Sequence, residues 1–130
     1  MADLDALLEA ARAVAQRAYA PYSKFRVGAA VRDADGRVFV GCNVECASYG
    51  LTVCAERNAI FNAIAAAATR PFAALAISCL DAHEGGCSPC GACRQVIAEH
   101  FGEDAPIAVD GLGQFTPRGL LPHSFSMESA

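Results

Sequence analysis

Positive charge is scarce in this chain. Ten basic residues stand against fourteen acidic ones, for a formal net charge of -4, and only one of the ten, Lys24, is a lysine. Binding to a phosphate backbone draws on a basic stripe, so no nucleic-acid partner is expected. Long hydrophobic runs are lacking as well. The run from Ala63 to Ala68 is short and alanine-rich, well below the ~20 apolar residues a helix needs to cross a bilayer, and no membrane role is expected. The opening residues Met1-Ala2-Asp3-Leu4-Asp5 are acidic and amphipathic, unlike the basic-then-apolar pattern of an export signal. A cytoplasmic protein is expected. No internal repeat or linker interrupts the chain. At 130 residues and 54% hydrophobic composition, it can build one core. The expectation is a single domain over 1–130 that acts on a small neutral molecule.

Cysteine is what the chain has in excess, with seven in all. Without an export signal, such a count reads as metal ligation plus buried free thiols. Cys42 and Cys79 have apolar or loop surroundings and are expected in the core. Three others fall in two short motifs. Thr52-Val53-Cys54-Ala55-Glu56-Arg57 places a cysteine and a glutamate two residues apart at a predicted helix start. Ser88-Pro89-Cys90-Gly91-Ala92-Cys93-Arg94 places two cysteines at i, i+3 at another, so both lie on one helix face.

The elements around these motifs follow from periodicity. Leu4, Leu7, Leu8, Ala11, Val14, Ala15 and Ala18 form one apolar stripe, which predicts an amphipathic helix over 4–19 with Asp3 as N-cap and Pro21 beyond its end. Strands over 26–32 and 37–42 flank an Asp35-Gly36 pair, the signature of a hairpin. Thr52 is the expected N-cap of a helix from Val53 to about Ala68, with Ile60, Phe61 and Ile64 on its buried side. The apolar run over 72–80 predicts a central strand covered on both faces. Ser88 as N-cap and Pro89 at the first helical position predict a helix to about Phe101, and 106–109 a short strand. Beyond Gly111 lies a tail broken by Gly and Pro and anchored by Phe115, Leu120, Leu121 and Phe125. Helices alternating with strands after a hairpin define an α/β fold, a mixed sheet with helices on both faces.

A catalytic zinc site takes three protein ligands and leaves one position for water. Cys54, Cys90 and Cys93 offer three thiolates. Cys54 and Cys90 fall in the first turns of their predicted helices, where the positive helix end and its unpaired N–H groups favour the thiolate. Glu56 need not bind metal. At a helix start it can reach over the open position, where one carboxylate can move every proton that a hydrolytic deamination requires. Three thiolates around a divalent ion leave a net negative charge, which works against activating water. Arg57, or Arg94, is expected to offset this by donating hydrogen bonds to cysteine sulfur. Cys87-Ser88-Pro89-Cys90 is also a CxxC, so a closed four-cysteine structural site with no catalysis is the alternative from another class. The capping pattern places Cys87 outside the helix and disfavours it. His83, His100 and His123 have no metal-ligand spacing.

With these residues in place, five blocks of sequence resemble the small, homotetrameric, zinc-dependent cytidine deaminases. They are Tyr-Ala-Pro-Tyr-Ser-Lys-Phe-Arg-Val-Gly-Ala-Ala (19–30), Gly-Cys-Asn-Val-Glu (41–45), Ser-Tyr-Gly-Leu-Thr-Val-Cys-Ala-Glu-Arg (48–57), Ser-Pro-Cys-Gly-Ala-Cys-Arg-Gln-Val (88–96) and Leu-Leu-Pro-x-x-Phe (120–125). The resemblance implies a three-layer α/β/α fold with a mixed, five-stranded sheet and one Zn²⁺ per subunit on Cys54, Cys90 and Cys93. It implies Glu56 as proton shuttle, Asn43 and Glu45 as the pair that binds the ribose (chiefly its 3′-hydroxyl), and Phe25 against the pyrimidine. It further implies base-edge contacts from the Ala55 N–H and the Ser88 carbonyl. Tyr49 and Phe125 would complete a neighbour's pocket in a homotetramer with shared active sites. The implied activity is hydrolytic deamination of cytidine or 2′-deoxycytidine to the uridine product and ammonia. A related branch, the blasticidin-S-type deaminases, shares the zinc motifs but lacks the Asn-x-Glu pair. Asn43-Val44-Glu45 therefore points to cytidine, with a modified cytosine nucleoside as the alternative. Cys46 departs from the asparagine usual in the family, and the Ser126-Met127 tail from its usual glycine and proline.

Overall fold

Five strands form one sheet in the computed structural model, which describes residues 4–82 and 87–127. The expected cap at Asp3, and His83, lie outside the described residues. The sheet order is β2 (Val38–Cys42), β1 (Val27–Arg32), β3 (Ala74–Cys79), β4 (Ile107–Val109) and β5 (Gly113–Phe115). β1 runs antiparallel to β2 and β3, β3 is parallel to β4, and β4 is antiparallel to β5, so the sheet is mixed as expected. β5 and the short helix α4 (Pro117–Leu120) fall where only a broken tail was expected. The hairpin turn is held from within. Asp33 is fully buried and accepts the backbone N–H groups of Asp35, Arg37 and Thr69 as well as Arg37 Nε. Burial works against its charge, but these donors outweigh it and hold the carboxyl below its ordinary value.

Alternation along β1 and β3 assigns the layers. Ala30, Ala74 and Ala76 meet Leu7 and Ala11 of α1 (Leu4–Ala15) on one face. Ala29, Val31, Leu75 and Ile77 turn to the other, where α2 (Ala55–Ala65) and α3 (Gly91–His100) bring Ala59, Ile60, Ala63 and Ile97. The result is helix, sheet, helix. No helix among the described residues is long and apolar enough to cross a membrane.

Both large helices approach the sheet closely over glycine. A Cβ on Gly28 would lie 2.0 Å from the Ala11 carbonyl oxygen and 2.7 Å from the Ala15 nitrogen, and one on Gly41 would lie 2.3 Å from the Ala59 nitrogen. These atoms are backbone, so no side chain can yield. Gly28→Ala is expected to push α1 off the sheet and to destabilise by at least ~2 kcal/mol, read as a fall in Tm, whereas Gly50→Ala, with open space around it, leaves Tm unchanged.

The same closeness corrects the predicted buried side of α2. Ile60 is buried, but Phe61 and Ile64 are exposed, and the contact face is Ala55, Ala59, Ile60 and Ala63. With the helix backbone on Gly41, mostly small side chains fit beneath it. The first helix also ends before its predicted limit, at Ala15, and Tyr19 bridges to Val44 instead. α2 ends at Ala65, with Ala67 left-handed at a φ of 61° just beyond. Cys42 and Cys79, expected in the core, are half-buried at the ends of β2 and β3.

Candidate metal centre and substrate pocket

Two helix starts converge here, each two residues later than predicted. Thr52 and Ser88 were the expected N-caps, but Cys54 caps α2 and Cys90 caps α3. The expected caps bond elsewhere: Thr52 Oγ1 accepts the Cys46 N–H at 3.1 Å, and Ser88 Oγ accepts Arg94 Nη2 at 3.4 Å. Neither cap thiol folds back onto its own helix, so each is left to face the other. Cys93 sits in the first turn of α3 and is fully buried.

The sulfurs of Cys54, Cys90 and Cys93 lie within 4.8 Å of one another, with Cys54 and Cys90 4.0 Å apart. A tetrahedral zinc ion with Zn–S bonds of about 2.3 Å separates its sulfur ligands by about 3.8 Å. Donor type and spacing therefore fit such an ion. Cys87 stands outside the group. Burial, with the charge and hydrogen bond of Cys79, pushes its thiol up to about 12. Among the described residues the cluster thus has three members, with no closed set of four.

Electrostatics favour a thiolate at Cys54. A hydrogen bond from Cys93 brings it down to about 5, against the effect of burial and with help from Arg57. Cys93, the donor of that bond and itself buried, is pushed up. Arg57 Nη2 donates to Cys54 Sγ at 3.4 Å, as expected of it. Arg94 does not share that role. It donates to the carbonyls of Pro89 at 2.8 Å and Leu120 at 3.0 Å, tying the α3 start to the C-terminal segment. Glu56 follows on the second residue of α2, only 5% exposed. Burial, then the neighbouring Cys54 charge, raises its carboxyl to about 7, so it can both take and give a proton near neutrality.

Cys54, Glu56 and Cys90 line a cavity of about 430 Å³. The structure brings Phe25, Asn43, Glu45, Ala55 and Ser88 to the same cavity. Asn43 and Glu45 are both buried, and their side chains also brace the chain before β1. Asn43 Nδ2 donates to the Phe25 carbonyl at 2.8 Å, and its Oδ1 accepts the Val27 N–H at 2.9 Å. Glu45 Oε1 accepts the N–H groups of Tyr22 and Ser23. Tyr49 and Phe125 are not in this wall; they are 72% and 64% exposed. Ser23, Thr52 and Val27 also line the cavity; Thr52 was expected only as a helix cap, and Ser23 and Val27 were not singled out from sequence. Ser23 lies within the run 19–30, and its only signal was that position. Gln95 was missed too: its amide donates to the Phe125 carbonyl and accepts the Phe125 N–H, fixing the segment that carries this ring.

Known proteins are similar to this chain over most of its length. A family model described as "Cytidine and deoxycytidylate deaminase zinc-binding region" matches residues 1–106. A cytidine deaminase of Sporosarcina psychrophila is 43% identical over 97% of this chain and 93% of its own. The crystal structure of cytidine deaminase from Burkholderia pseudomallei, 47% identical, superposes with a TM-score of 0.85 over 96% of this chain and all of that one. The structure from Mycobacterium tuberculosis, 39% identical, does so with 0.87 over 98% of this chain and all of that one. Fold and site together define a zinc-binding deaminase. More narrowly, the chain belongs to the cytidine deaminase family.

Proposed function

We propose that this chain hydrolyses the amino group of cytidine or 2′-deoxycytidine, releasing the uridine product and ammonia. The observation that carries this reading is one cavity lined by two unlike groups. Cys54 and Cys90 of the three convergent thiols line it together with the buried Glu56 carboxylate, and so does an amide–carboxylate pair suited to sugar hydroxyls, Asn43 and Glu45. A zinc ion on Cys54, Cys90 and Cys93 supplies, when bound, Lewis-acid activation of water at neutral pH. Glu56 accepts the proton released as the nucleophile adds at C4, delivers it to ring N3, and carries the next to the departing amine. The Ala55 N–H and Ser88 carbonyl hold the base edge, Phe25 packs on the pyrimidine, and Asn43 and Glu45 take the ribose.

The protein works as a homotetramer in this reading, with Tyr49 and Phe125 completing a neighbour's pocket. Their exposure, with that of Leu51 at 68%, supports it by leaving an apolar rim. Residues 1–130 act as one domain. Seven unpaired thiols suit the reducing cytoplasm.

The test offers zinc-loaded protein cytidine, 2′-deoxycytidine and single-stranded DNA, with zinc measured on the same sample. Nucleoside turnover is expected. Turnover of DNA alone would defeat the reading, and zinc without any turnover would restore the structural module. Arg57→Ala is expected to lower kcat/KM roughly tenfold while most of the zinc remains, because its guanidinium offsets thiolate charge without ligating. Equal losses of zinc and rate would reduce Arg57 to a metal-holding role.

A further inference from the structure

Glu45 is not a free carboxylate in the pocket wall. Its Oε1 accepts the N–H groups of Tyr22 at 3.0 Å and Ser23 at 3.1 Å, while Ser23 Oγ donates to Oε2 in a very close contact. The same hydroxyl oxygen accepts the Phe25 N–H at 3.1 Å. Lys24 between them is left-handed, with a φ of 62°, a conformation uncommon for a residue with a side chain. That turn brings the Phe25 N–H back onto Ser23. One hydroxyl therefore joins the residue facing the base to the carboxylate facing the sugar.

We propose that Ser23 is a positioning residue for the reaction: its hydroxyl fixes the orientation of the Glu45 carboxylate toward the substrate's sugar hydroxyls and holds Phe25 in step with it. The proposal rests on the reading of this cavity as a cytidine site. With Oε2 held by Ser23 and Oε1 by two N–H groups, the carboxylate is locked before substrate arrives. The lone pairs that remain are those left for a ligand. Ordering done in advance is not charged against binding. Without the hydroxyl, Oε2 is released and the carboxylate can rotate. The Ser23 bond is also foremost among the causes that hold the Glu45 carboxyl below its ordinary value, ahead of the opposing effect of burial.

Ser23→Ala and Ser23→Thr are made in the full chain, zinc-loaded, and assayed with cytidine and with 2′,3′-dideoxycytidine, which keeps the 5′-hydroxyl but lacks the 2′- and 3′-hydroxyls that Glu45 would meet. Ser23→Ala is expected to raise KM for cytidine roughly tenfold with a smaller change in kcat. Its kcat/KM for 2′,3′-dideoxycytidine, which still reports the Phe25 contact, should fall by no more than about threefold, and Ser23→Thr, which keeps the hydroxyl on an exposed residue, should recover cytidine to within about threefold. Equal losses on the two substrates would reduce Ser23 to a loop-shaping residue and overturn the proposal. A second measurement needs no turnover. Carbon-13 NMR of the Glu45 carboxyl should show its titration moving upward in Ser23→Ala, and an unmoved titration also overturns the proposal. Parent protein that deaminates neither nucleoside would instead refute the cytidine reading, and the titration would still judge Ser23.

Discussion

Glu56→Ala is expected to keep a full complement of zinc and to lose turnover by about 10³- to 10⁴-fold. The separation of the two effects follows from geometry. The three convergent sulfurs do not include the carboxylate, so removing it leaves the donor set intact. Its position is costly for a group with only a structural duty. A carboxylate at a helix start gains ~0.3–1 kcal/mol from the helix dipole, and it gains that equally well in solvent. Here it is buried beside a site rich in thiols, which lifts it to about 7. Truncation relieves that burial, so Tm is expected to hold or rise. Glu56→Gln, which keeps the shape but cannot carry a proton, should be nearly as inactive as the alanine variant. Normal turnover in either variant would refute the shuttle assignment. Zinc lost in proportion to rate would make Glu56 a part of the metal site instead.

The parts of the fold that were legible are those with a local signal. The Asp35-Gly36 turn and its flanking valines specify the β1–β2 hairpin, with Gly36 at a φ of 89° as such a turn requires. The nearly continuous apolar run of β3 specifies a strand with helices on both faces. β5 is three residues long and has no period to read; it exists through pairing with β4. Helix caps were displaced because cap preference ranks serine and threonine first. That preference assumes a side chain free to bond its own helix, and the oxygens of Thr52 and Ser88 serve other partners. In α2 hydrophobicity pointed to Phe61 and Ile64, but the demand for small residues over Gly41 overrode it.

Legibility within the site divides along the same line. Metal chemistry admits few residue types at few spacings, so Cys54, Glu56, Cys90 and Cys93 could be singled out from two short motifs. Asn43 and Glu45 carry no such mark. Their spacing lets them share a face, but nothing local distinguishes them from residues that brace a loop, and they also do that. Their hydrogen bonds reach residues 16 to 23 positions away, across the β1–β2 hairpin. Their assignment to a ribose came from family likeness, and only the folded chain brings them into the same cavity as Glu56.

Removing the metal is expected to loosen the molecule as well as silence it. Cys54 begins α2 while Cys90 and Cys93 begin α3, so an ion on the three sulfurs ties the starts of the two helices together. Without the ion, two positive helix ends and three sulfurs, one of them fully buried, share one corner of the molecule with nothing to bridge them. An ion that binds only the folded chain stabilises it by about 4 kcal/mol when present at a thousand times its Kd. For a chain of this length that corresponds to a fall in Tm of roughly 10–20 °C on full chelation. Cys93→Ala supplies the decisive control, since Cys93 is the wholly buried ligand with no solvent to replace it. The variant is expected to hold no zinc, to show no turnover above background, and to melt near the chelated parent, with chelator changing its Tm no further. Calorimetry with and without chelator, alongside zinc analysis, reads all three. A parent protein whose Tm and activity both survive complete chelation would show that the three thiols are only neighbours, and the metal centre would fall with them.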